Sequence, residues 1–330
     1  MKYSLANKKV LLIVPQFFGY EREIRSEIER RGAQVDFLLD RPFTSPFLKA
    51  LTRLRRQWVM PAAERYYQEN TDANGDYDYV IVVNGQTLSS RVLEQWRSNF
   101  KRAKFFLYMW DSFGNRKDVL NNLRYFDHTF TFDRQDAQQY GMHFRPLFFS
   151  KGFEKAVDAA PEWDISFIGT AHSDRYAIVS RFSAGLDAGV RAYWYLFLQA
   201  NWVYWVYRAI KKGFRSAKLS EFRFDPLTKA DVQEVFFGSV AVLDIEHPRQ
   251  TGLTMRTLET LGARKKLITT NANVKSYDFF MDSNICVIDR SNPSIPSNFL
   301  ATPYVDVAPD IYQRYRLEGW LDEILDKELA

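Results

Sequence analysis

Short, wholly apolar runs alternate with charged, helix-forming segments along the chain. The first run, VLLIV at residues 10–14, is followed by a charged helical segment at 21–31, by Gly32 and by a second predicted strand at 35–39. An apolar run without polar alternation is typical of a strand that is buried on both faces of a parallel sheet. The order strand, helix, strand therefore predicts a doubly wound α/β fold.

The alternation divides into two blocks. Further strands are predicted at residues 76–83, 104–109, 128–132, 164–169, 240–245, 266–270 and 285–288. The stretch 150–163, SKGFEKAVDAAPEW, has the polar, Ala- and Pro-containing composition of a linker. We therefore predict a first domain over residues 1–155, a second over 156–308 and a C-terminal helical segment over 309–330.

Composition limits the class of protein. The 330 residues are 46% hydrophobic and 26% charged, as in globular proteins, and no apolar run reaches the roughly 18 residues of a membrane-spanning helix. A single cysteine, Cys286, and four scattered histidines leave no disulfide and no thiolate zinc site. Because the first residues also lack a secretory signal, we expect a cytoplasmic protein without a structural metal. The net charge of +5 favours acidic partners without choosing among them.

Residues 246–271, EHPRQTGLTMRTLETLGARKKLITTN, are the most informative stretch. An apolar strand precedes a glycine loop and a helix, on which Arg256 and Glu259 are three residues apart, and another strand follows. Backbone amides at a helix N-terminus bind anions. Arg256 could add charge-assisted hydrogen bonds to phosphate, and Glu259 could accept from vicinal hydroxyls. A surface loop with an ordinary Arg–Glu helical pair explains the same residues equally well.

The stretch GLTMRTLETLG at residues 252–262 resembles the donor-site segment of GT-B glycosyltransferases. It is most similar to the spore-maturation-protein-like transferases of bacterial surface polysaccharide synthesis and more distantly similar to family 4 (group 1) enzymes. Their pattern is a strand, a glycine loop, Arg-x-x-Glu-Ala-x-Ala-x-Gly and a strand. The sequence departs from family 4 at Thr251, where those enzymes carry a glutamate.

This resemblance implies two Rossmann-like domains that face a cleft, with the C-terminal helix crossing back to the first domain. It also implies that Glu259 binds the nucleotide ribose and that the amides of the glycine loop meet the diphosphate or the sugar. With Arg256 stabilising the leaving diphosphate, the other candidates for donor binding in this stretch are Gln250, Gly252, Leu253 and Thr254 of the loop, and His247 next to it.

A second candidate is the loop GTAHSDR at residues 169–175, which follows a predicted strand. Ligands of open α/β sheets bind at the carboxyl ends of the strands. The amides of Gly169 and Thr170 could approach phosphate, and Arg175 could pair with it. For Ser173 and Asp174 we favour an N-terminal cap of the following helix.

Loops of the first block would hold the acceptor in a GT-B enzyme. Gly19, Asn84 and Asp111 each follow a predicted strand. A carboxylate at such a place could deprotonate the attacking hydroxyl, which makes Asp111 the first candidate for the base. A structural interpretation, in which Asp111 and Ser112 cap a turn, fits the sequence as well.

Other site types find no support in the sequence. There is no G-x-x-x-x-G-K-[ST] loop, no G-x-G-x-x-G after the first strand and no G-x-S-x-G elbow. No cluster has the spacing of metal ligands. We therefore expect a donor that is bound without a metal and without a cofactor.

Aromatic and basic residues are concentrated at 191–215, RAYWYLFLQANWVYWVYRAIKKGFR, which we interpret as an insertion in the second domain. Indole rings beside cations suit a lipid–water interface. The residues that would contact an anionic membrane are Trp194, Trp202, Trp205, Lys211 and Lys212. A helix packed on the sheet through its aromatic side chains is the alternative. The cations Arg53, Arg55 and Arg56 form a second basic patch.

Together these features predict a glycosyltransferase that moves a sugar from a nucleotide-sugar donor to a lipid-linked surface glycan, such as lipopolysaccharide or capsule. It would work at the inner face of the cytoplasmic membrane. The alternative is a catalytically degenerate GT-B scaffold that binds a glycan or a partner protein. No motif supports nucleic-acid binding.

Overall fold

The computed structural model of the chain describes residues 2–42, 56–154, 160–248 and 250–329. They form two compact units. The first unit comprises Met1–Leu147 and Leu317–Ala330, and the second comprises Phe148–Arg316.

The described part of the first unit contains a six-stranded parallel sheet of order β2-β1-β3-β4-β5-β6. Its strands are β1 (Lys9–Val14), β2 (Gln34–Leu39), β3 (Tyr79–Val83), β4 (Lys104–Met109), β5 (His128–Thr131) and β6 (His143–Phe144). The α-helices are α1 (Tyr20–Arg30), α2 (Arg56–Asn70), α3 (Ser90–Asn99) and α4 (Arg134–Tyr140), with a 3-10 segment at Lys117–Tyr125. Pro61 lies within α2 and does not end it.

The second unit repeats this architecture. In its described residues a six-stranded parallel sheet has the order β12-β11-β10-β7-β8-β9. The strands are β7 (Trp163–Thr170), β8 (Ala192–Phe197), β9 (Phe222–Arg223), β10 (Ser239–Asp244), β11 (Lys266–Thr269) and β12 (Ile285–Val287). The helices are α5 (Arg175–Ala184), α6 (Asn201–Ile210), α7 (Lys229–Phe237), α8 (Met255–Gly262) and α9 (Pro309–Tyr315). The predicted doubly wound α/β fold is confirmed.

The apolar runs become strands because helices cover both faces of each sheet. All residues from Val10 to Val14 in β1 and all of β3 are buried. A strand buried on both faces needs no polar alternation, which explains the sequence pattern. The loops at the carboxyl ends of these strands are where polar side chains collect.

The interpretation of residues 191–215 as an insertion is wrong. Residues 192–197 form β8, which pairs in parallel with β7 and places Trp194 opposite Phe167. Aromatic side chains are favoured in strands because they pack well on a pleated surface. The segment is therefore a βα unit of the sheet, in which β8 is followed by α6. Residues 53 and 55 of the second basic patch, and the side chain of Arg56, lie outside the described residues.

The C-terminal segment is split between the two units. The helix α9 stays in the second unit, and α10 (Leu317–Leu329) belongs to the first. The crossing therefore falls at residue 317, later than the predicted 309, because Phe149 and Arg316 pair as a β-bridge.

A buried arginine fastens α10 to the first unit. The guanidinium of Arg31, at the end of α1, donates to Asp322 at 2.6 Å and to the carbonyl of Glu318 at 2.8 Å. It also donates to Glu27 at 2.8 Å. A buried charge is tolerated only when it is paired and hydrogen-bonded, so these contacts fix the position of the C-terminal helix. None of the described helices has the length and hydropathy needed to cross a membrane.

Gly262, the last glycine of the donor-like motif, permits close packing in the second unit. A Cβ at Gly262 would lie 2.6 Å from Cδ2 of the buried Phe149. The carbonyl of Gly262 also accepts a hydrogen bond from the hydroxyl of Tyr312 in α9, at 2.7 Å. A small residue is therefore required where α8 meets Phe149.

We expect Gly262→Ala to lower the free energy of unfolding by up to about 2 kcal/mol, because moving the overpacked Phe149 ring costs about 1–3 kcal/mol and the better helix propensity of Ala offsets only about 1 kcal/mol. Chemical denaturation would measure this. The control is Gly189→Ala, since nothing lies within 4 Å of a Cβ at that exposed turn, and its effect should stay within about 0.5 kcal/mol. Equal stability of the two variants would contradict this packing.

Candidate anion-binding site in the second unit

The candidate site lies at the carboxyl ends of three neighbouring strands, β7, β10 and β11. The loop after β7 leads into α5, and the loop after β10 leads into α8. Parallel strands end at the same edge of the sheet, so residues from distant parts of the sequence meet there. This edge gathers the two stretches that the sequence singled out.

Asp244 anchors the start of α8. Its buried carboxylate accepts hydrogen bonds from the hydroxyls of Thr254 at 2.7 Å and Thr257 at 2.8 Å. Thr254 is the N-cap of α8 and accepts from the amide of Thr257 at 3.2 Å. The end of a central strand is thereby tied to the first turn of the helix, and this tie sets the direction in which Arg256 projects.

Side-chain amides fix the loop that precedes α8. The carbonyl of Gly252 accepts from Gln250 at 3.0 Å and from Asn271 at 3.3 Å. Leu253 is buried beside it. Gln250 and Leu253 therefore act here as supports of the loop, with Asn271, which the sequence analysis did not single out.

Arg256 is held over the end of β7. Its guanidinium carbon lies 6.0 Å from the ring centroid of Phe167, and a Cβ on Gly169 would come within 3.4 Å of its Nη1. Its Nε is buried and has no hydrogen-bond partner among the described residues. A buried donor without a partner is costly and rare, so the Nε of Arg256 is a candidate to donate a hydrogen bond to a ligand.

Arg175, the first residue of α5, places a second guanidinium close by. Its Nε donates to the carbonyl of Ile245 at 2.7 Å, and its Nη1 lies 3.3 Å from Nε2 of His172. Burial, and then the charge of Arg256, lowers the pKa of Arg175 to about 10. Within the described chain, neither Arg175 nor Arg256 is ion-paired to a carboxylate. The two like charges together favour an anion between them.

The nearby carboxylates are neutralised by a different arginine. The guanidinium of Arg290 donates to both Glu246 and Asp174, the latter at 3.1 Å, and Glu246 also accepts from Thr270. Burial raises the pKa of the Glu246 carboxyl. Asp174 occupies the N-cap position of α5 but makes no capping hydrogen bond. The predicted Asp174 cap is therefore wrong, because Arg290 takes its carboxylate.

Glu259 and His247 complete the predicted set. Glu259 lies one turn after Arg256 in α8 and is buried. The ring of His247 lies 6.2 Å from that of His172. Beside the β7 loop is a cavity of about 380 Å³, lined by Ser173, Asp174, Ala177, Lys211, Lys212, Gly213 and Phe214. This cavity brings the cations Lys211 and Lys212 to the start of α5.

The first unit gathers its own predicted residues. Asn84, at the end of β3, adopts φ 66° and accepts from the amide of Trp110, which follows β4, at 3.1 Å. Gly19 is the N-cap of α1 with φ 79°, a conformation that favours glycine. Asp111 pairs with Arg116 at 2.9 Å and accepts from Asn115 at 3.0 Å. These bonds agree with the turn-capping interpretation of Asp111 and leave its role as a base a prediction.

Asp40, at the end of β2, escaped the sequence analysis. It is fully buried, and one carboxylate oxygen accepts from the amide of Thr87 at 3.1 Å. The other has no partner among the described residues. Burial raises the pKa of Asp40 to about 6. The sequence signal that could have identified Asp40 is that a single aspartate directly follows a predicted strand.

Known structures resemble the chain over its whole length. The HepE protein of Anabaena, in complex with UDP and glucose, aligns with TM-score 0.61 at 11% identity and covers 97% of this chain and 99% of its own. A Rickettsia africae glycosyltransferase aligns with TM-score 0.60 at 11% identity and covers 97% and 98%. The lipopolysaccharide outer core galactosyltransferase WaaB aligns with TM-score 0.51 at 13% identity and covers 97% and 99%.

The chain therefore has the GT-B fold, with two Rossmann-like units and a C-terminal helix that returns to the first. No family model matches the sequence, and none of the curated proteins matches it significantly. The resemblance to spore-maturation-protein-like transferases therefore stays a prediction. In the described ranges no group of three or more His, Cys, Asp or Glu side chains could hold a metal ion.

The ring of His172 is partly buried beside Arg175, which affects its pKa. Burial, then the charges of Arg175 and His247, lowers the pKa of His172 to about 4. Since this value is below the ordinary 6.5, protonation favours the unfolded state. The contribution of neutral His172 to stability is complete above pH 6.5 and declines as the pH falls towards 4.

We expect NMR of the histidine Cε1 protons to show no protonation of His172 between pH 8 and about 5. Arg175→Gln should raise the pKa of His172, whereas Arg264→Gln, which removes an exposed charge elsewhere in the unit, should leave it unchanged. Titration of His172 near its ordinary pKa in the unmodified chain would contradict the proximity of Arg175.

Proposed function

We propose that the chain transfers a sugar from a nucleotide-sugar donor to an acceptor hydroxyl. One observation carries this proposal: at the carboxyl edge of the second sheet the charge of Arg256 reaches Arg175 and helps to lower its pKa, and the Nε of Arg256 lacks a partner among the described residues. An anion with several acceptor oxygens, such as a diphosphate, satisfies such a site. The Anabaena protein with the same fold was crystallised with UDP-glucose.

The arginines would act on the leaving group. When the bond between the anomeric carbon and the diphosphate oxygen breaks, negative charge grows on the diphosphate. Guanidinium groups fixed in a half-buried place stabilise that charge more than water does. The N-terminus of α8 adds its dipole to the same region. A Cβ at Gly169 would crowd the ring of Phe167. Because glycine lacks a Cβ, the donor phosphate could approach the backbone there.

Glu259 would select the nucleotide. A carboxylate accepts two hydrogen bonds from the 2′- and 3′-hydroxyls of a ribose, and Glu259 lies on the helix that also carries Arg256. His247 would contribute beside it. No metal or cofactor enters this proposal, because the arginines themselves supply the positive charge that the diphosphate needs.

The first unit would hold the acceptor. Gly19, Asn84 and Asp111 lie after β1, β3 and β4, at one edge of that sheet. We propose a lipid-linked surface glycan, such as a lipopolysaccharide or capsule precursor, at the inner face of the cytoplasmic membrane. The support is the shared fold with WaaB, a lipopolysaccharide galactosyltransferase. Asp111 would take the proton of the attacking hydroxyl.

A non-catalytic scaffold is the second candidate function. Thr251 stands where family 4 enzymes carry a glutamate, and its carbonyl accepts from Asn271 and Asn273 at 3.3 and 3.2 Å. Thr251 is thus part of the loop's support and supplies no carboxylate to a sugar. A scaffold would bind glycan or protein without turning over a donor.

Donor binding is tested first by thermal shift with UDP, GDP, CMP and dTDP and their sugars, because a ligand of the folded state raises stability. For the nucleotide that binds, calorimetry should find Arg256→Gln and Arg175→Gln each about 10- to 100-fold weaker, the loss of charge-assisted hydrogen bonds. The control Arg264→Gln should bind normally. If no nucleotide binds, the transferase proposal fails and the scaffold remains.

The base is tested separately. With donor and a lipid-linked acceptor extract, Asp111→Asn should release nucleoside diphosphate at least about 100-fold more slowly, while its donor affinity stays normal. Asp76→Asn, at an exposed carboxylate in the same unit, is the control. A normal rate for Asp111→Asn would leave Asp111 as a turn cap and require another base.

A further inference from the structure

The helix α6 exposes an apolar face that the fold does not use. Trp202 is 67% exposed, Trp205 is 57% exposed and Ile210 is 70% exposed, with Val206 between them on the helix surface. Their spacing of three, four and eight residues from Trp202 places them on one side. A helix that packs on a sheet normally turns polar residues to that side.

The opposite side of α6 packs into the core of the second unit. Val203 and Tyr204 are buried, and the hydroxyl of Tyr204 donates to the carbonyl of Ala217 at 2.8 Å. Trp194, one of the predicted membrane contacts, lies in β8 and packs against the core. Its Nε1 donates to Ser183 at 3.2 Å. The exposed face therefore consists of the α6 residues alone.

The segment that carries this apolar face is rich in cations and contains no carboxylate. Residues 201–220 contain five cations and no carboxylate. Arg208 lies with its guanidinium carbon 5.9 Å from the ring of Trp205. Lys212 and Arg215 are exposed just beyond the end of α6. Indole rings and aliphatic side chains flanked by Lys and Arg match the boundary between acyl chains and anionic headgroups.

We propose that α6 docks the second unit on an anionic lipid bilayer. Trp202, Trp205 and Ile210 enter the headgroup–acyl boundary, and Lys212 and Arg215 meet the lipid phosphates. The uncompensated cations select this occupant, since an apolar protein partner would need no such charge. The inference depends on the surface of α6 and not on sugar transfer, so either proposal can fail alone.

The test is sedimentation of the full chain with sucrose-loaded vesicles at about 0.1 M salt, where charged surfaces remain partly unscreened. We expect partitioning at least about 10-fold stronger onto phosphatidylcholine containing 30% phosphatidylglycerol than onto phosphatidylcholine alone, and weaker binding as salt rises. Trp202→Ser with Trp205→Ser should lower binding about 10-fold or more. Lys212→Gln with Arg215→Gln should remove most of the preference for phosphatidylglycerol.

The matched control is Trp58→Ser, because Trp58 is 66% exposed and lies in the first unit. It should bind vesicles like the unmodified chain. Unchanged thermal unfolding of each variant shows that folding is intact. Equal losses for Trp58→Ser and the α6 variants, or no binding to anionic vesicles, would overturn the proposal. So would sedimentation velocity showing that the α6 tryptophans hold two copies together instead.

Discussion

The hydrogen bonds of Asp244 fix the position of α8, the helix that carries Arg256 and Glu259. A buried carboxylate is costly unless its oxygens are satisfied, and here the hydroxyls of Thr254 and Thr257 satisfy one of them. The contact joins the end of β10 to the first turn of α8. The directions of Arg256 and Glu259 follow from it, because both side chains project from a helix whose start cannot shift along the strand.

Charge is distributed unequally around that anchor. Arg290 pairs with both Glu246 and Asp174, whereas neither Arg175 nor Arg256 is ion-paired to a carboxylate among the described residues. Asp244 and Glu246 favour the charged form of Arg175, but burial and the charge of Arg256 outweigh them and lower its pKa. Burial, and then the charges of Arg175 and His247, lowers the pKa of His172. At this edge of the sheet, two arginines without ion-pair partners in the described chain are the physical basis for proposing that the donor phosphates bind there.

The sequence predicted the parts of the fold that depend on local pattern. Runs such as 10–14 and 79–83 are wholly apolar because both sides of the strand are covered. The strand β8 was missed because AYWYLF shares its aromatic composition with α6, which hides the change of period between them. Arg256 and Arg175 could be predicted as candidate site residues because each lies shortly after the end of a predicted strand. Arg290 was not, because its partners Asp174 and Glu246 are 116 and 44 residues away in sequence.

The aromatic content of 16% does not by itself account for the exposed tryptophans of α6. Many of the other large rings are used for packing: Phe105, Phe106 and Tyr108 are buried in the first sheet, and Phe167 and Phe222 in the second. Rings that pack are fixed by their neighbours, and on the inner side of α6 Tyr204 follows this rule. Trp202 and Trp205 are more than half exposed, and exposed apolar rings reduce solubility. The proposed lipid surface would give these indole rings, and the cations that follow them, a partner outside the folded unit.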